Sequence, residues 1–193
     1  MVPRDTGEPS IEATLLAQFA QGAPDAAQAL TDLLAPRILR YAARMLGDMT
    51  EAEDVTQDTM LRLWRIAPEW QDQGVSPAAW AFRVAGNLCT DRLRKRRPGP
   101  PELPDLADDR PAADARMMQA ARARALEQAL ALLPERQRQA VILRHLEGMS
   151  NPQIAAIMMV GVEAVESLTA RGKRNLAAIL AGQQDALGYQ DDD

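Results

Sequence analysis

The sequence predicts an all-α protein, built as two small helical domains joined by a flexible acidic, proline-rich linker. Hydrophobic residues make up 47% of the 193 residues, enough for a core, but aromatic residues make up only 4%, a composition that favours helix-on-helix packing. Apolar residues recur at spacings of three and four, and no alternating strand pattern persists. The segment 98–115 has five prolines, several acids and almost no large apolar residue, which is typical of a linker.

Charge is divided unevenly along the chain. The net charge of −5 excludes a globally basic nucleic-acid-binding protein. It is distributed as −1 over 1–97, −4 over the linker, +4 over 116–183 and −4 over the tail 184–193. We therefore expect two domains, 1–97 and 116–183, the second of which is basic between two acidic segments.

The single cysteine and the hydropathy pattern indicate the cellular compartment. One cysteine, Cys89, rules out a disulfide framework within the chain. Neither an apolar run of about 18 residues nor a signal-peptide pattern is found. We expect a cytoplasmic protein in which Cys89 is buried and the lone histidine, His145, packs against its neighbours.

The first domain reads as three or four helices. Their predicted starts and ends rest on capping residues: Ser10 caps 11–21, Pro24 opens a helix to Leu46 stopped by Gly47, Thr50 with Glu53 forms a capping box, and Ser76 with Pro77 opens the last helix.

The third and fourth helices each have a predicted core stripe and a polar surface. In the third, the core stripe is Ala52, Val55, Thr59, Leu63 and Ile66. In the fourth, it is Trp80, Val84, Leu88 and Leu93. The fourth helix ends in RLRKRR at 92–97, five basic residues in six.

The second domain contains a predicted helix-turn-helix. Helices are expected over 116–132 and from Pro134 to Glu147, with Gly148 as the stop. Ser150 and Gln153 fit a capping box for the next helix. The inward residues of the pair are predicted to be Ile154, Ala155, Met158, Val165, Leu168, Gly172, Leu176 and Ile179, with Val160 in the turn. Met159 stands where many such turns use glycine, so a left-handed conformation there would cost about 1 kcal/mol.

Residue patterns alone leave the function open. A helix-turn-helix can present a helix to DNA, but two helices joined by a short turn can equally well do no more than pack on each other. Asp54 and Asp58 are spaced to bind a metal or to serve acid–base chemistry. No histidine lies near them in the sequence, and no phosphate loop or Ser-His-Asp set is found, so we expect neither an enzyme, nor a metal site, nor a cofactor.

Three motifs in order resemble the extracytoplasmic-function (group IV) sigma factors of the sigma-70 family, over about residues 10–182. EAEDVTQDTMLRLWR looks like the polymerase-binding helix of that family. AWAFRVAGNLCTDRLRKRR looks like the helix that reads and melts the −10 element. LPERQRQAVILRHLEGMSNPQIAAIM with VEAVESLTARGKRNL looks like the −35-reading domain.

The resemblance implies a role for each matching residue. Those matching the face that docks on the β′ clamp are Asp54, Gln57, Asp58 and Leu61. Those implied at −10 DNA are Asn87, Arg92, Arg94, Lys95, Arg96 and Arg97, with the base-capturing loop at 69–76 and its Trp70 or Val75. Those implied at −35 DNA are Arg144, Glu166, Ser167, Ala170, Arg171, Lys173 and Arg174. Gly86 departs from a family position that is often arginine.

The resemblance also implies partners and regulation. The partners are the polymerase core (β′ clamp and β flap), promoter DNA and a cognate anti-sigma factor, in a stress response. The linker would thread the polymerase near the active-centre cleft, where Asp105, Asp108 and Asp109 would imitate RNA. The alternative is a sigma-like decoy that only sequesters an anti-sigma factor.

Overall fold

The computed structural model describes residues 10–70, 75–96 and 114–186, and within them it contains eight α-helices and no strand. The all-α prediction is therefore confirmed. The helices are α1 (Ile11–Ala20), α2 (Pro24–Leu46), α3 (Met49–Ile66), α4 (Pro77–Lys95), α5 (Asp114–Ala131), α6 (Glu135–Val141), α7 (Asn151–Met158) and α8 (Val162–Ala186). A 3₁₀ turn (Ala67–Glu69) follows α3, and a π-helical turn (Ile142–Leu146) continues α6.

Capping residues set most helix ends where the sequence predicts them. Ser10 and Ser76 accept hydrogen bonds from the first turns of α1 and α4. Gly47 takes the left-handed conformation that ends α2. One cap differs from the prediction: Asp48, not Thr50, caps α3 by accepting from the Glu51 amide, because the helix begins two residues earlier than the Thr50 box requires.

The N-terminal half is a bundle in which α2, α3 and α4 enclose a common core. Its largest fully buried side chains include Leu34, Tyr41, Leu63 and Phe82. Tyr41 meets Phe82 edge-on, with ring centroids 5.3 Å apart. The predicted stripe of α3 is confirmed, with Ile66 only partly buried.

The core face of α4 differs from the predicted one. Trp80, Val84, Leu88 and Leu93 are half-buried, whereas the helix buries Ala78, Ala79, Ala81, Phe82, Ala85, Gly86 and Cys89. Neighbours press on α4 from several sides, so its small residues, which allow close approach, mark the buried face better than its bulky ones.

The C-terminal half packs α6, α7 and α8 around Ile142, Leu143, Ile154 and Val165, all fully buried. Gly172 permits the crossing of α8 over α6, since a Cβ there would lie 2.6 Å from Val141 Cγ2. The Ser150–Gln153 capping box is present. His145 is exposed rather than packed, because the π-helical turn directs Ile142 and Leu143 into the core and leaves the next residues outside.

The two halves pack directly on each other. Helix α4 lies against α7, and α2 contacts both α5 and α6. Arg37 Nε lies 3.3 Å from Glu147 Oε2, and Arg138 Nη1 donates to the carbonyl of Met45 at 2.6 Å. Sequence periodicity did not indicate this contact.

Candidate polymerase and promoter interfaces

One face of α3 combines acidic, amide and apolar groups. Asp54, Gln57, Asp58 and Leu61 lie at i, i+3, i+4 and i+7 and are all exposed. The opposite face is anchored in the core through Ala52, Val55, Thr59 and Leu63. The helix is therefore fixed while this mixed face is presented to solvent, a surface suited to a basic partner helix.

An apolar groove borders that acidic face. It has a volume of about 360 Å³ between α2 and α3. Its lining residues are Thr31, Ala35, Leu39, Glu53, Thr56, Gln57, Met60, Leu61 and Trp64. Gln57 and Leu61 belong both to the groove and to the acidic face, so a partner docking on α3 would find apolar surface beside charge.

The basic end of α4 is partly engaged with the rest of the N-terminal half. Arg92 Nη2 lies 3.9 Å from Asp54 Oδ2, and Arg94 Nη1 lies 3.7 Å from Asp91 Oδ1. Arg96 donates to the carbonyl of Leu46 at 2.6 Å and pairs with Glu51 at 3.1 Å. Arg96 thus ties α4 to the end of α2 and the start of α3, and it is exposed, as are Arg94 and Lys95. Arg97 lies outside the described residues.

Asn87 lies on α4, and the pair Trp70 and Trp80 joins α4 to the segment that precedes it. Asn87 is exposed. Trp70 and Trp80 meet edge-on with ring centroids 6.2 Å apart, which brings the start of the predicted base-capturing loop against α4. Val75 is half-buried, and residues 71–74 of the loop lie outside the described residues.

The outer face of α8 carries six of the seven residues predicted to contact −35 DNA, and all of them are exposed. Arg171 Nε donates to the Ser167 carbonyl at 3.2 Å. Asn151 Nδ2, at the start of α7, donates to Glu166 Oε1 at 3.3 Å. Arg144, also exposed, donates to the Met149 carbonyl at 2.9 Å.

The turn before α8 places a non-glycine residue in the costly left-handed conformation. Met159 has φ 53° and ψ 50°, in the left-handed region, and its side chain is 75% exposed. Met159 is the only non-glycine residue with positive φ in the part of the chain that the structure describes. The left-handed conformation sets the angle at which α8 leaves α7.

Burial shifts the pKa of three groups between these surfaces. Burial raises the pKa of the Cys89 thiol to about 12, and Cys89 is fully buried, as predicted. Burial also raises the pKa of the Tyr41 phenol well above its usual value. Burial lowers the pKa of the Arg138 guanidinium, and the negative charge of Glu135 offsets part of that shift. Cys89 is therefore a protonated, inert thiol at neutral pH.

Sequence reasoning missed the residues that join the two halves. Gln139 Nε2 donates to Tyr41 Oη at 3.0 Å, and Arg83 Nη2 donates to the Ala156 carbonyl at 2.7 Å. The one available signal was Gly86, a glycine in a helix interior. A Cβ there would lie 2.7 Å from Gln139 Nε2.

Comparison with known proteins defines the class. Residues 30–98 match the model for sigma-70 region 2, and residues 123–176 match the model for sigma-70 region 4. The two halves of the chain thus contain regions 2 and 4 of a sigma-70-type transcription factor.

Individual relatives narrow the class to one group of sigma factors. The chain is 36% identical over 186 residues to the ECF RNA polymerase sigma factor SigE of Mycolicibacterium smegmatis, an alignment that covers 92% of this chain and 72% of SigE. It is 30% identical over 154 residues to the RNA polymerase sigma factor CnrH of Cupriavidus metallidurans, covering 74% and 80% of the two chains. The chain belongs to the ECF RNA polymerase sigma factors.

A solved structure agrees with this assignment. CnrH in complex with the cytosolic domain of CnrY matches with a TM-score of 0.66 at 29% identity, covering 88% of this chain and 96% of CnrH. The sigma factors are not a class of enzymes. Among the described helices, none alone is long and apolar enough to span a membrane, and only the bent pair of α7 and α8 passes that test by length and composition.

Proposed function

We propose that this sigma factor binds the RNA polymerase core and directs initiation at a defined set of promoters. The observation that carries the proposal is the α3 face of Asp54, Gln57, Asp58 and Leu61. All four side chains are exposed on a helix whose other face is locked in the core. An acidic face of this kind repels DNA and attracts a basic helix of a protein partner, which fits the β′ clamp. The β flap would contact the C-terminal half.

Promoter contacts are divided between two helices. Asn87 of α4 would hydrogen-bond a −10 base once that base leaves the stack, and Arg92, Arg94, Lys95, Arg96 and Arg97 would grip phosphates. For Arg96 this means exchanging the Leu46 carbonyl and Glu51 for a phosphate. The exposed face of α8, with Arg144, would enter the −35 major groove. Arg171, Lys173 and Arg174 would provide positive charge there.

Regulation by a protein repressor is a further part of the proposal. The structural relative CnrH was solved with the cytosolic domain of CnrY, and we propose that this chain is likewise held by an anti-sigma factor and released by a stress signal. In the cell the free chain would be cytoplasmic and would associate with the nucleoid only within the polymerase complex. The acidic residues Asp105, Asp108 and Asp109 of the proposed linker lie outside the described residues. Neutralising them should alter the yield of abortive transcripts if the linker occupies the RNA path.

The test is transcription reconstituted from bacterial core polymerase, this protein and a library of promoter fragments. Asp54→Arg should lose core binding, and Arg171→Ala should lose dependence on the −35 sequence. Glu127→Arg and Arg122→Ala, which change exposed residues of α5 by the same chemistry, serve as matched controls and should retain both.

Two outcomes would contradict the proposal. Failure of the wild-type protein to bind core would point to the decoy alternative, in which the chain only captures an anti-sigma factor. An equal loss of core binding or −35 dependence in the test and control variants would show that the net charge of the chain, rather than the α3 and α8 faces, governs activity.

A further inference from the structure

Charge is sorted by sign along α8 and the residues that follow it. The outer face of α8 carries a cationic cluster, which consists of Arg171, Lys173 and Arg174, all exposed. The next ten residues, 175–184, contain no charged residue. The acids of the tail 184–193 then follow, and they are Asp185, Asp191, Asp192 and Asp193. A neutral stretch therefore separates a positive group of side chains from a negative one.

The cationic cluster is not neutralised within the part of the chain that the structure describes. None of the ion pairs found there includes one of its three members. Arg171 Nε donates to the Ser167 carbonyl at 3.2 Å, which is a neutral group of the same helix. Three neighbouring cations without a carboxylate partner create a positive potential that attracts an anionic segment within reach.

The surface of α8 between the cluster and the tail is lined by small side chains. Its exposed residues are Asn175, Ala177, Ala178, Ala181 and Gly182. A Cβ added at Gly182 would meet nothing within 4 Å. An extended segment can therefore lie close to the helix along this surface, and it meets no charge before it reaches the cluster.

The tail is long enough to return to the cluster. Helix α8 ends at Ala186, which lies about 18 Å along the helix axis from Arg174 and about 22 Å from Arg171. Residues 187–193 lie outside the described residues. Asp191 and Asp193 are five and seven residues beyond Ala186, which corresponds to at most about 17 Å and 24 Å of extended chain. These aspartates reach the cluster only if the tail runs back along α8.

Two features of the sequence favour that path. Glycine at position 188 is the residue type that commonly ends a helix in the left-handed conformation and turns the chain. The C-terminal end of a helix carries a partial negative charge, which repels carboxylates. Asp191, Asp192 and Asp193 are therefore better placed at the cluster than at the end of α8.

We propose that the acidic tail folds back along α8 and docks Asp191, Asp192 and Asp193 on the cationic cluster, where they replace DNA phosphates. The inference rests on the proposed function, because it makes the tail a competitor of −35 DNA. A short tether gives an effective concentration on the order of millimolar, so even the weak ion pairs of an exposed surface occupy the cluster.

Docking of the tail lowers the affinity of the free chain for every DNA duplex. DNA has to displace the aspartates from the cluster, whatever its base sequence, because the phosphate contacts are independent of sequence. The tail would thus keep the free chain off DNA. Polymerase and the −10 contacts would supply the additional binding free energy that displaces it at a promoter.

Paramagnetic relaxation in NMR spectra of the full-length free chain locates the tail. A nitroxide on Gln190→Cys lies next to the three aspartates in the sequence, and native Cys89 is buried. We expect the amide signals of 171–178 to broaden at about 0.05 M salt and to recover at about 1 M salt, where exposed ion pairs are screened. Broadening confined to the last two turns of α8 would overturn the proposal.

Binding of a fluorescent duplex of mixed sequence measures the competition. The tail variant combines Asp191→Asn, Asp192→Asn and Asp193→Asn. It should bind about three- to tenfold more tightly than the wild type at about 0.05 M salt, and the two affinities should converge near about 0.5 M salt. The same substitutions should remove the broadening in the NMR experiment. Unchanged affinity at low salt would contradict the proposal.

Two control variants remove the same number of charges elsewhere. The first changes exposed residues outside this surface and combines Asp25→Asn, Asp32→Asn and Glu127→Gln. It should gain much less affinity than the tail variant, and an equal gain would show that net charge acts without docking. The second neutralises Asp105, Asp108 and Asp109 of the proposed linker. A gain in this variant, with none in the tail variant, would make the linker the occupant and overturn the proposal.

Failure of the proposed function is distinguishable from failure of this inference. Both measurements use the free chain without polymerase. If the wild type never initiates transcription, the proposed function fails, but the broadening and the duplex affinities still decide whether the tail docks. If the wild type initiates and the tail variant behaves like it in both measurements, only the docking of the tail is refuted.

Discussion

Arg92 of α4 and Asp54 of α3 form an ion pair at 3.9 Å that links the surface proposed to bind DNA to the surface proposed to bind polymerase. The Asp54 side chain is 62% exposed and that of Arg92 is 25% exposed. An ion pair this open contributes little to stability. Its two members are therefore available to partners, and substitutions can separate their roles.

Arg92→Gln should leave the free energy of unfolding within about 0.5 kcal/mol of the wild type. It should weaken open-complex formation at every promoter equally and reduce the salt dependence of binding by about one phosphate contact. The measurement is open-complex formation over a salt series, with Arg92→Lys as the control that keeps the charge. A change in sequence preference instead would argue for a base contact.

Asn151 should position Glu166 for base recognition, because its amide donates to that carboxylate at 3.3 Å. Asn151→Ala should broaden the base preference at the single −35 position that faces Glu166, with smaller effects elsewhere. Selection from a randomised −35 library measures this. Glu166→Gln should change the same position, and effects of the two variants at different positions would contradict the coupling.

Met159→Gly should stabilise the protein by about 1 kcal/mol, because glycine adopts the left-handed conformation without a Cβ penalty. The methionine side chain is 75% exposed, so little packing is lost. Urea unfolding measures the gain. Met159→Ala keeps a Cβ and should give no such gain; equal stability in the glycine and alanine variants would show that the turn is unstrained.

Gly172 and Gly182 form a matched pair within α8. Gly172→Ala should destabilise the C-terminal half by about 1–3 kcal/mol, since the new Cβ would lie 2.6 Å from Val141 Cγ2 and 3.1 Å from the Gln137 carbonyl. Gly182→Ala meets nothing within 4 Å and should stabilise the helix by about 0.5–1 kcal/mol. Thermal unfolding of the two variants should move in opposite directions, and a shift of the same sign would refute the close approach.

Stability should fall as the solution becomes alkaline. Burial raises the pKa of Cys89 to about 12, whereas an unfolded thiol ionises near about 8.5. Between these values the unfolded chain binds fewer protons, so the stabilising contribution is complete below pH 8.5 and is lost as pH rises towards 12. Tyr41, whose pKa is also raised, adds to the loss above about pH 10.

Urea unfolding from pH 7 to pH 10.5 measures this dependence. The slope from one such group approaches about 1.4 kcal/mol per pH unit. Cys89→Ala should flatten the curve between about pH 8.5 and 10, whatever its effect at neutral pH. An unchanged slope in that variant would show that the thiol does not titrate differently in the two states.

Local chemistry made much of the fold predictable. Pro24, Gly47 and the Ser150–Gln153 box act within a few residues, so their effects could be read from the sequence and appear in the structure. Gly172 was likewise predictable, because a bare position on an otherwise apolar stripe signals a helix crossing. The exposed α3 and α8 faces followed from helical spacing.

What escaped prediction depends on partners distant in the chain. The core face of α4 was assigned to bulky residues, because periodicity does not reveal how many neighbours press on a helix. Gly86 was interpreted only as a departure from a family position that is often arginine, since nothing near it in the sequence indicates Gln139. The roles of individual site residues came from the resemblance and stay predictions.

The π-helical turn Ile142–Leu146 makes the C-terminal half sensitive to chain length. A π turn accommodates one residue more than an α turn, and each residue of a regular helix advances about 100° around its axis. Deleting one residue here would restore regular winding and rotate Arg144, together with everything before it, relative to α7 and α8. A substitution on this surface changes one side chain, but an insertion or deletion at this turn would change which residues lie beside Arg144 on the surface proposed to face the promoter.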